Sequence, residues 1–215
     1  FLYNLLGLIL TSQKKIDQAI ECYETGIKID PKFAMIYNNL GHLISSYKSN
    51  PNVEKIENYY KKSISLDNKI SEPHVNLGNL YKLLNKYDDA IDSYNTAIKI
   101  NPKNSVAYHN LGTIYISLGK FNEAKKNLEE AIKLNPNFIV AHRALSRIKR
   151  YKANDEHFNE LKKIYTFTKI NDVENKMNLA FALGKAYEDF KDFDKSFYYY
   201  KEANSLYRKK LDFSL

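Results

Sequence analysis

The chain has 215 residues, of which 33 are Lys or Arg and 25 Asp or Glu, for a formal net charge of +8, and 44% are hydrophobic. That composition excludes a disordered polymer and supplies enough chain for a substantial core. A single cysteine, Cys22, excludes an internal disulfide framework and a multi-cysteine metal centre.

The opening FLYNLLGLIL reads as a helix. It lacks a basic leader and a small-residue cleavage site, and it is shorter than the roughly 20 residues needed to cross a bilayer, so no membrane partner is expected. Phe1, Leu2, Leu5, Leu8 and Ile9 leave much of its circumference apolar, although a paired helix buries one stripe. Either further repeats precede it or it self-associates with another copy. The start at Phe rather than Met fits an excerpt.

Further along, an aromatic or His residue stands three places ahead of Leu at Tyr3, Tyr37, His74, Tyr108 and His142, at separations of 34, 37, 34 and 34 residues. In the first four the Leu is followed by Gly. Each second half also matches, with Ala19, Ala90 and Ala124, then Tyr23, Tyr60, Tyr94 and Leu128, then Pro31, Pro102 and Pro136. A period near 34 is that of a helix-turn-helix unit. Tyr108, Leu111, Gly112 and Tyr115 form one stripe at helical spacing, and Gly112 and Ala124 are small where two helices cross closely. The Asn-Pro pairs at 101–102 and 135–136 end second helices, because the residue before Pro is pushed out of helical angles. The second unit carries three extra residues around SNPNVEK, and Asn68 stands where Pro is expected. The fifth unit opens with His142 and Leu145, has Ser146 in the Gly slot, and then loses the pattern, although Phe158, Leu161, Ile164 and Tyr165 still share a helical face. The pattern returns at Leu183, Gly184 and Tyr187, with Ser196, Tyr200 and Ala203 in the second-helix slots. The expected organisation is four units over 1–138, an irregular fifth helix pair over 139–176, and over 177–215 a final repeat-like unit and C-terminal helix leading to a further domain.

These residues resemble the tetratricopeptide repeat. The resemblance implies an all-α fold, a right-handed superhelical solenoid of antiparallel helix pairs, with a groove lined by the first helix of each unit. It implies a non-catalytic scaffold that binds an extended peptide or protein segment, acidic ones included, with no cofactor in this chain. Carried over by position, the groove residues are Asn38, Asn39 and His42, then Glu72, Val75, Asn76 and Asn79, then His109, Asn110 and Thr113. The recurring Asn39, Asn76 and Asn110 are similar to the asparagine ladder of O-GlcNAc transferase repeats, in which carboxamides hold a peptide backbone. The alternative is that these amides bridge neighbouring helices.

A basic run, HRALSRIKRYK, places Arg143, Arg147 and Arg150 at i, i+4 and i+7, one face of a continued helix, where guanidinium forks suit carboxylate or phosphate groups. The alternative is ion pairing with Asp155, Glu156 or Glu160. The Lys-Asn arrangement of the repeats that clamp a terminal carboxylate is missing. Nucleic acid is disfavoured, since the groove residues change type from unit to unit. Residues 140–212 resemble the segment joining repeats to the catalytic domain of bacterial repeat-containing sulfotransferases, through Leu145 to Ile148, Asp155 and His157, FALGKAYED and EANSL. That resemblance implies a PAPS-dependent domain beyond residue 215 for which this chain positions substrate. Gly119-Lys120 and Gly184-Lys185 lack the rest of a phosphate loop, and no His pair has metal spacing, so neither an enzyme nor a metal site is expected within the chain. A reducing, cytoplasmic setting fits the lone cysteine.

Overall fold

The computed structural model describes residues 1–169 and 171–212; residues 213–215, expected to lead toward a further domain, lie outside the described residues. Among the described residues there are twelve helices and no strand, the expected all-α class. The chain divides into two compact units, 1–110 and 111–215, with the boundary inside the seventh helix.

The first unit holds α1 (Leu2–Ser12), α2 (Ile16–Ile29), α3 (Ala34–Tyr47), α4 (Val53–Leu66), α5 (Glu72–Leu83), α6 (Tyr87–Ile100) and the start of α7 (Ser105–Ser117). From α1 to α6 consecutive helices pack on one another, and α3 also touches both α1 and α5. The spacing has a steric cause. A Cβ added at Gly78 would lie 2.7 Å from a ring carbon of Tyr94, which is fully buried. Gly7 meets Tyr23 and Gly41 meets Tyr60 in the same way, so a missing side chain on each first helix admits the ring of its second. Ile36, Leu40 and Leu43 then join Ala19 and Tyr23 in the core between α2 and α3.

The inner turns share one device. Lys14, Asn85 and Gly119 stand eleven residues after the aromatic position and Lys191 eleven residues after Ala180, three places ahead of Leu183, and all four have positive φ, between 58° and 70°. The residue after each donates its N–H back to Leu10, Tyr81, Tyr115 and Tyr187 respectively, closing the helix end. The longer α3–α4 connection, residues 48–52, lacks such a residue.

On α1, Leu2, Leu6 and Ile9 are 72%, 43% and 45% exposed, whereas their counterparts on α3, Ile36, Leu40 and Leu43, are at most 2% exposed. The counterparts are covered by α2; α1 has no such neighbour among the described residues.

The second unit holds the rest of α7, then α8 (Phe121–Leu134), α9 (Ile139–Ile148), α10 (Glu156–Phe167), α11 (Val173–Asp189) and α12 (Phe193–Asp212). Here α9 packs on α8 and α11, while α10 packs on α11. Leu161, Leu179, Leu183 and Tyr151 form its core, with Phe158, Ile164 and Tyr165 against it. The expected helical face at 158–165 is therefore present. Tyr200, expected in a second-helix slot, is half-buried over Gly184, while Tyr199 sits between Tyr165 and Tyr187.

The break in the repeat has a polar core of its own. His142 is fully buried and His157 nearly so; their rings are joined by Nδ1 of His142 and Nε2 of His157 at 2.9 Å. Nε2 of His142 lies 2.8 Å from the carbonyl oxygen of Pro136, and Tyr151 Oη lies 2.9 Å from Nδ1 of His157. A carbonyl can only accept, so His142 carries its proton on Nε2 and accepts at Nδ1 from His157, which in turn accepts from the Tyr151 hydroxyl. Every proton in this row is used once; a further proton on His142 would meet the His157 N–H, and one on His157 would turn the Tyr151 hydroxyl from donor to acceptor. Burial, with the neighbouring His142 and Lys149, pushes His157 down to about 3, and burial likewise lowers His142. Tyr151 is further tied by its N–H to Asp189, and Lys149 pairs with Asp155 at 2.9 Å.

Candidate peptide-binding groove

In the first unit the faces of α3 and α5 and the start of α7 enclose an open cavity of about 410 Å³. Met35, Asn38, Asn39 and His42 line it from α3, Glu72, Val75 and Asn76 from α5, and Asn104 and Val106 from the entry to α7. Local sequence fixes these positions. Asn104 Oδ1 accepts the Ala107 N–H at 3.0 Å and so caps α7, while Pro73 starts α5 where no N–H is required.

Six of the nine lining residues are groove positions expected from the sequence, namely Asn38, Asn39, His42, Glu72, Val75 and Asn76. Asn79 is exposed further along α5, and His109 and Asn110 are half-buried on α7 outside the cavity lining; Thr113, half-buried, belongs to the second unit. Burial lowers His109, with Lys82 adding to the effect. Met35, Asn104 and Val106 were not anticipated. Met35 and Val106 share one slot, two residues ahead of the aromatic position, which repeat spacing alone would have marked.

The asparagine row does more than face a ligand. Asn39 donates to Asn4 Oδ1 at 2.8 Å, Asn76 to Asn38 Oδ1 at 2.9 Å, and Asn110 to Asn79 Oδ1 at 2.8 Å. The repeated amide therefore links each first helix to the one before it. Its acceptor sits just after the aromatic slot where that residue is Asn, at Asn4 and Asn38. On α5 that place is Val75, which offers no acceptor, and Asn79, one turn on, serves instead while also accepting the Tyr94 hydroxyl at 2.6 Å. Asn38, expected to face the groove freely, is 4% exposed and has both polar atoms engaged, its amide donating to Asn39. Asn76 Oδ1 accepts no hydrogen bond among the described residues, so its lone pairs remain for an incoming N–H.

The arginine face differs from its expectation. α9 ends at Ile148, so Arg150 lies past the helix and does not continue the i, i+4 row. Arg143 donates to Asn178 Oδ1 at 2.6 Å and stacks over the Phe181 ring, 4.4 Å from its centroid; burial, then the adjacent Arg147, lowers its pKa. Asp155, a candidate ion-pair partner for the arginines, is held by Lys149. Arg147 is exposed and makes no ion pair among the described residues.

Cys22 is buried, donates to the Tyr3 carbonyl oxygen at 3.3 Å and has its thiol pKa raised by burial, which is the behaviour of a packed side chain rather than a nucleophile. Among the described residues there is no His, Cys, Asp and Glu group that could hold a metal and no helix long and apolar enough to cross a membrane.

The family model described as "Tetratricopeptide repeat" matches residues 71–104 and 105–138, and the one described as "TPR repeat" matches residues 7–44. Residues 7–44 and 71–138 are tetratricopeptide repeats. Among solved structures, PilF of Pseudomonas aeruginosa is similar at 18% identity with a TM-score of 0.73, covering 99% of this chain and 93% of its own. PilW, a type IV pilus biogenesis factor, is similar at 21% identity with a TM-score of 0.67, over 95% of this chain and 96% of its own. YrrB, described as a TPR protein with an unusual peptide-binding site, matches at 20% identity with a TM-score of 0.63, over 87% and 93%. At these identities the likeness shows the tetratricopeptide fold. No curated protein matches the chain. The resemblance of residues 140–212 to sulfotransferases gains no support from these matches.

Proposed function

We propose that this chain is a non-catalytic scaffold whose first unit binds an extended peptide segment of a partner protein along the groove of α3, α5 and α7. The cavity carries the reading: first helices of successive repeats contribute the same slots to it, apolar at Met35 and Val106 and carboxamide at Asn39 and Asn76. The description of YrrB as a repeat protein with a peptide-binding site is consistent with it. Extended backbone suits such a wall, because Asn76 offers an acceptor while the apolar slots take side chains. Selection of phage-displayed random dodecapeptides on the immobilised protein tests the reading. Val106 is exposed, so Val106→Trp fills the groove without disturbing the core. Selected peptides should bind this variant at least tenfold more weakly, and equal binding refutes the groove.

A second contact for acidic groups rests on the charge distribution. The second unit has twenty Lys and Arg against fourteen Asp and Glu, the first thirteen against eleven. Arg147, with Arg143 beside it, is the exposed representative on α9. Arg147→Glu should weaken binding of a polyglutamate peptide while leaving the melting temperature in place; unchanged binding removes this contact. Self-association through Leu2, Leu6 and Ile9 is the corresponding proposal for α1, and sedimentation of a Leu6→Lys/Ile9→Lys variant should show a monomer where the parent chain associates.

A further inference from the structure

The groove of the first unit has a polarity opposite to that of the chain as a whole. Glu72 is the one carboxylate lining the cavity, and no Lys or Arg lines it. Glu72 also departs from its slot. The residue two places ahead of the aromatic position is Met35 on α3, Val106 on α7 and Val140 on α9, all apolar, and α5 alone carries an acid there. First-turn acids serve helix dipoles; the second helices α2, α4, α6 and α8 each have at least one, and among the first helices α5 has Glu72 and α11 has Glu174, whereas α1, α3, α7 and α9 have none. The carboxylate is exposed at the mouth of the cavity, and the Ser71 hydroxyl donates to its Oε2 at 3.3 Å, which leaves its other oxygen open.

We propose that the peptide bound in this groove carries a Lys or Arg side chain whose aliphatic stem lies against Met35, Val75 and Val106 and whose charged end pairs with Glu72. This rests on the groove reading above and deepens it. Long basic side chains suit the site because they bury a hydrocarbon stem while keeping the charge at the rim. The nearly balanced charge of the first unit does not oppose a basic segment as the second unit would. Lys82, on the same helix, stands ten residues on from Glu72, about 15 Å away along the axis, so the two ends of α5 differ in sign and favour one orientation of a peptide with a single basic residue.

The same dodecapeptide selection provides the test, repeated on Glu72→Gln and Glu72→Lys, with Glu21→Gln on α2 as a remote control. Peptides recovered on the parent protein should be enriched in Lys or Arg at one position. They should bind Glu72→Gln about fivefold more weakly, the scale of a rim ion pair, and bind Glu21→Gln unchanged. Their binding to the parent protein should weaken as NaCl rises from 0.05 to 0.5 M, a readout that needs no variant, and Glu72→Lys should select Asp and Glu instead. Peptides that lose binding on Val106→Trp yet show no basic preference and bind Glu72→Gln equally would overturn this inference and leave the groove intact. Failure to recover any peptide sensitive to Val106→Trp would overturn both.

Discussion

Protonating the buried row of Tyr151, His157 and His142 should destabilise the second unit well before any carboxylate titrates. His157 has its pKa near 3 in the folded chain and an ordinary value of 6.5 when exposed. The folded value is the lower one, so the unfolded chain takes the proton first; stability is complete above about pH 7 and falls as pH drops toward 3. At pH 5 the unfolded chain is 1.5 pH units below its midpoint while the folded ring is still neutral, a loss of about 2 kcal/mol from this residue alone. His142 shifts in the same direction and adds to it. Lys149 opposes the charge, whereas Asp155 and Glu160 favour it. Urea unfolding followed by far-ultraviolet circular dichroism at pH 7.5, 6.5, 5.5 and 5.0 measures the loss, and the window excludes most carboxylate titration. His74 and His109 are also lowered by burial, so the decisive comparison is with His157→Gln, which keeps them. That variant should be less stable at pH 7.5, because it disturbs the bonds to Tyr151 and His142, yet lose about 2 kcal/mol less between pH 7.5 and 5. An equal loss in both proteins would show that the row does not exclude the proton.

Three further outcomes follow from the packing. Gly78→Ala gains about 1 kcal/mol of helix propensity, but its Cβ meets a Tyr94 ring held by Asn79, so overpacking should win and lower stability by about 1–2 kcal/mol in a urea melt; a stabilised variant would mean the ring can move. Lys191→Gly relieves a left-handed residue at φ 61° and should raise stability by about 0.5–1 kcal/mol in thermal melts, and a lower melting point would contradict the turn assignment. Asn76→Ala removes the donor to the buried Asn38 oxygen and should cost about 1–3 kcal/mol even without a peptide. Unaltered stability would show that the asparagine row serves ligand alone, whereas the expected loss makes a triple Asn39/Asn76/Asn110 variant unsuitable as a binding control.

Periodicity made the helix pairs legible, because a close helix crossing demands a small residue at a fixed place, and Gly78 opposite Tyr94 or Gly112 opposite Leu128 satisfies it within one or two units. Six lining residues of the groove were legible for the same reason, since a slot in a repeat has a constant direction. What the repeated asparagines do was decided by tertiary structure: an amide's partners depend on which side chain stands one turn away on the next helix, as the switch from Asn38 to Asn79 around Val75 shows. The row from His142 through His157 to Tyr151 was likewise invisible in the chain, for Pro136 and His142 fall in repeat slots but Tyr151 and His157 follow no repeat period. Spacing along one helix also mistook Arg150 for a neighbour of Arg147, because the end of α9 is set by where Lys149 and Tyr151 are tied down, Lys149 to Asp155 and Tyr151 to Asp189. Local sequence sets what a helix face presents; only the fold decides what each polar group on it meets.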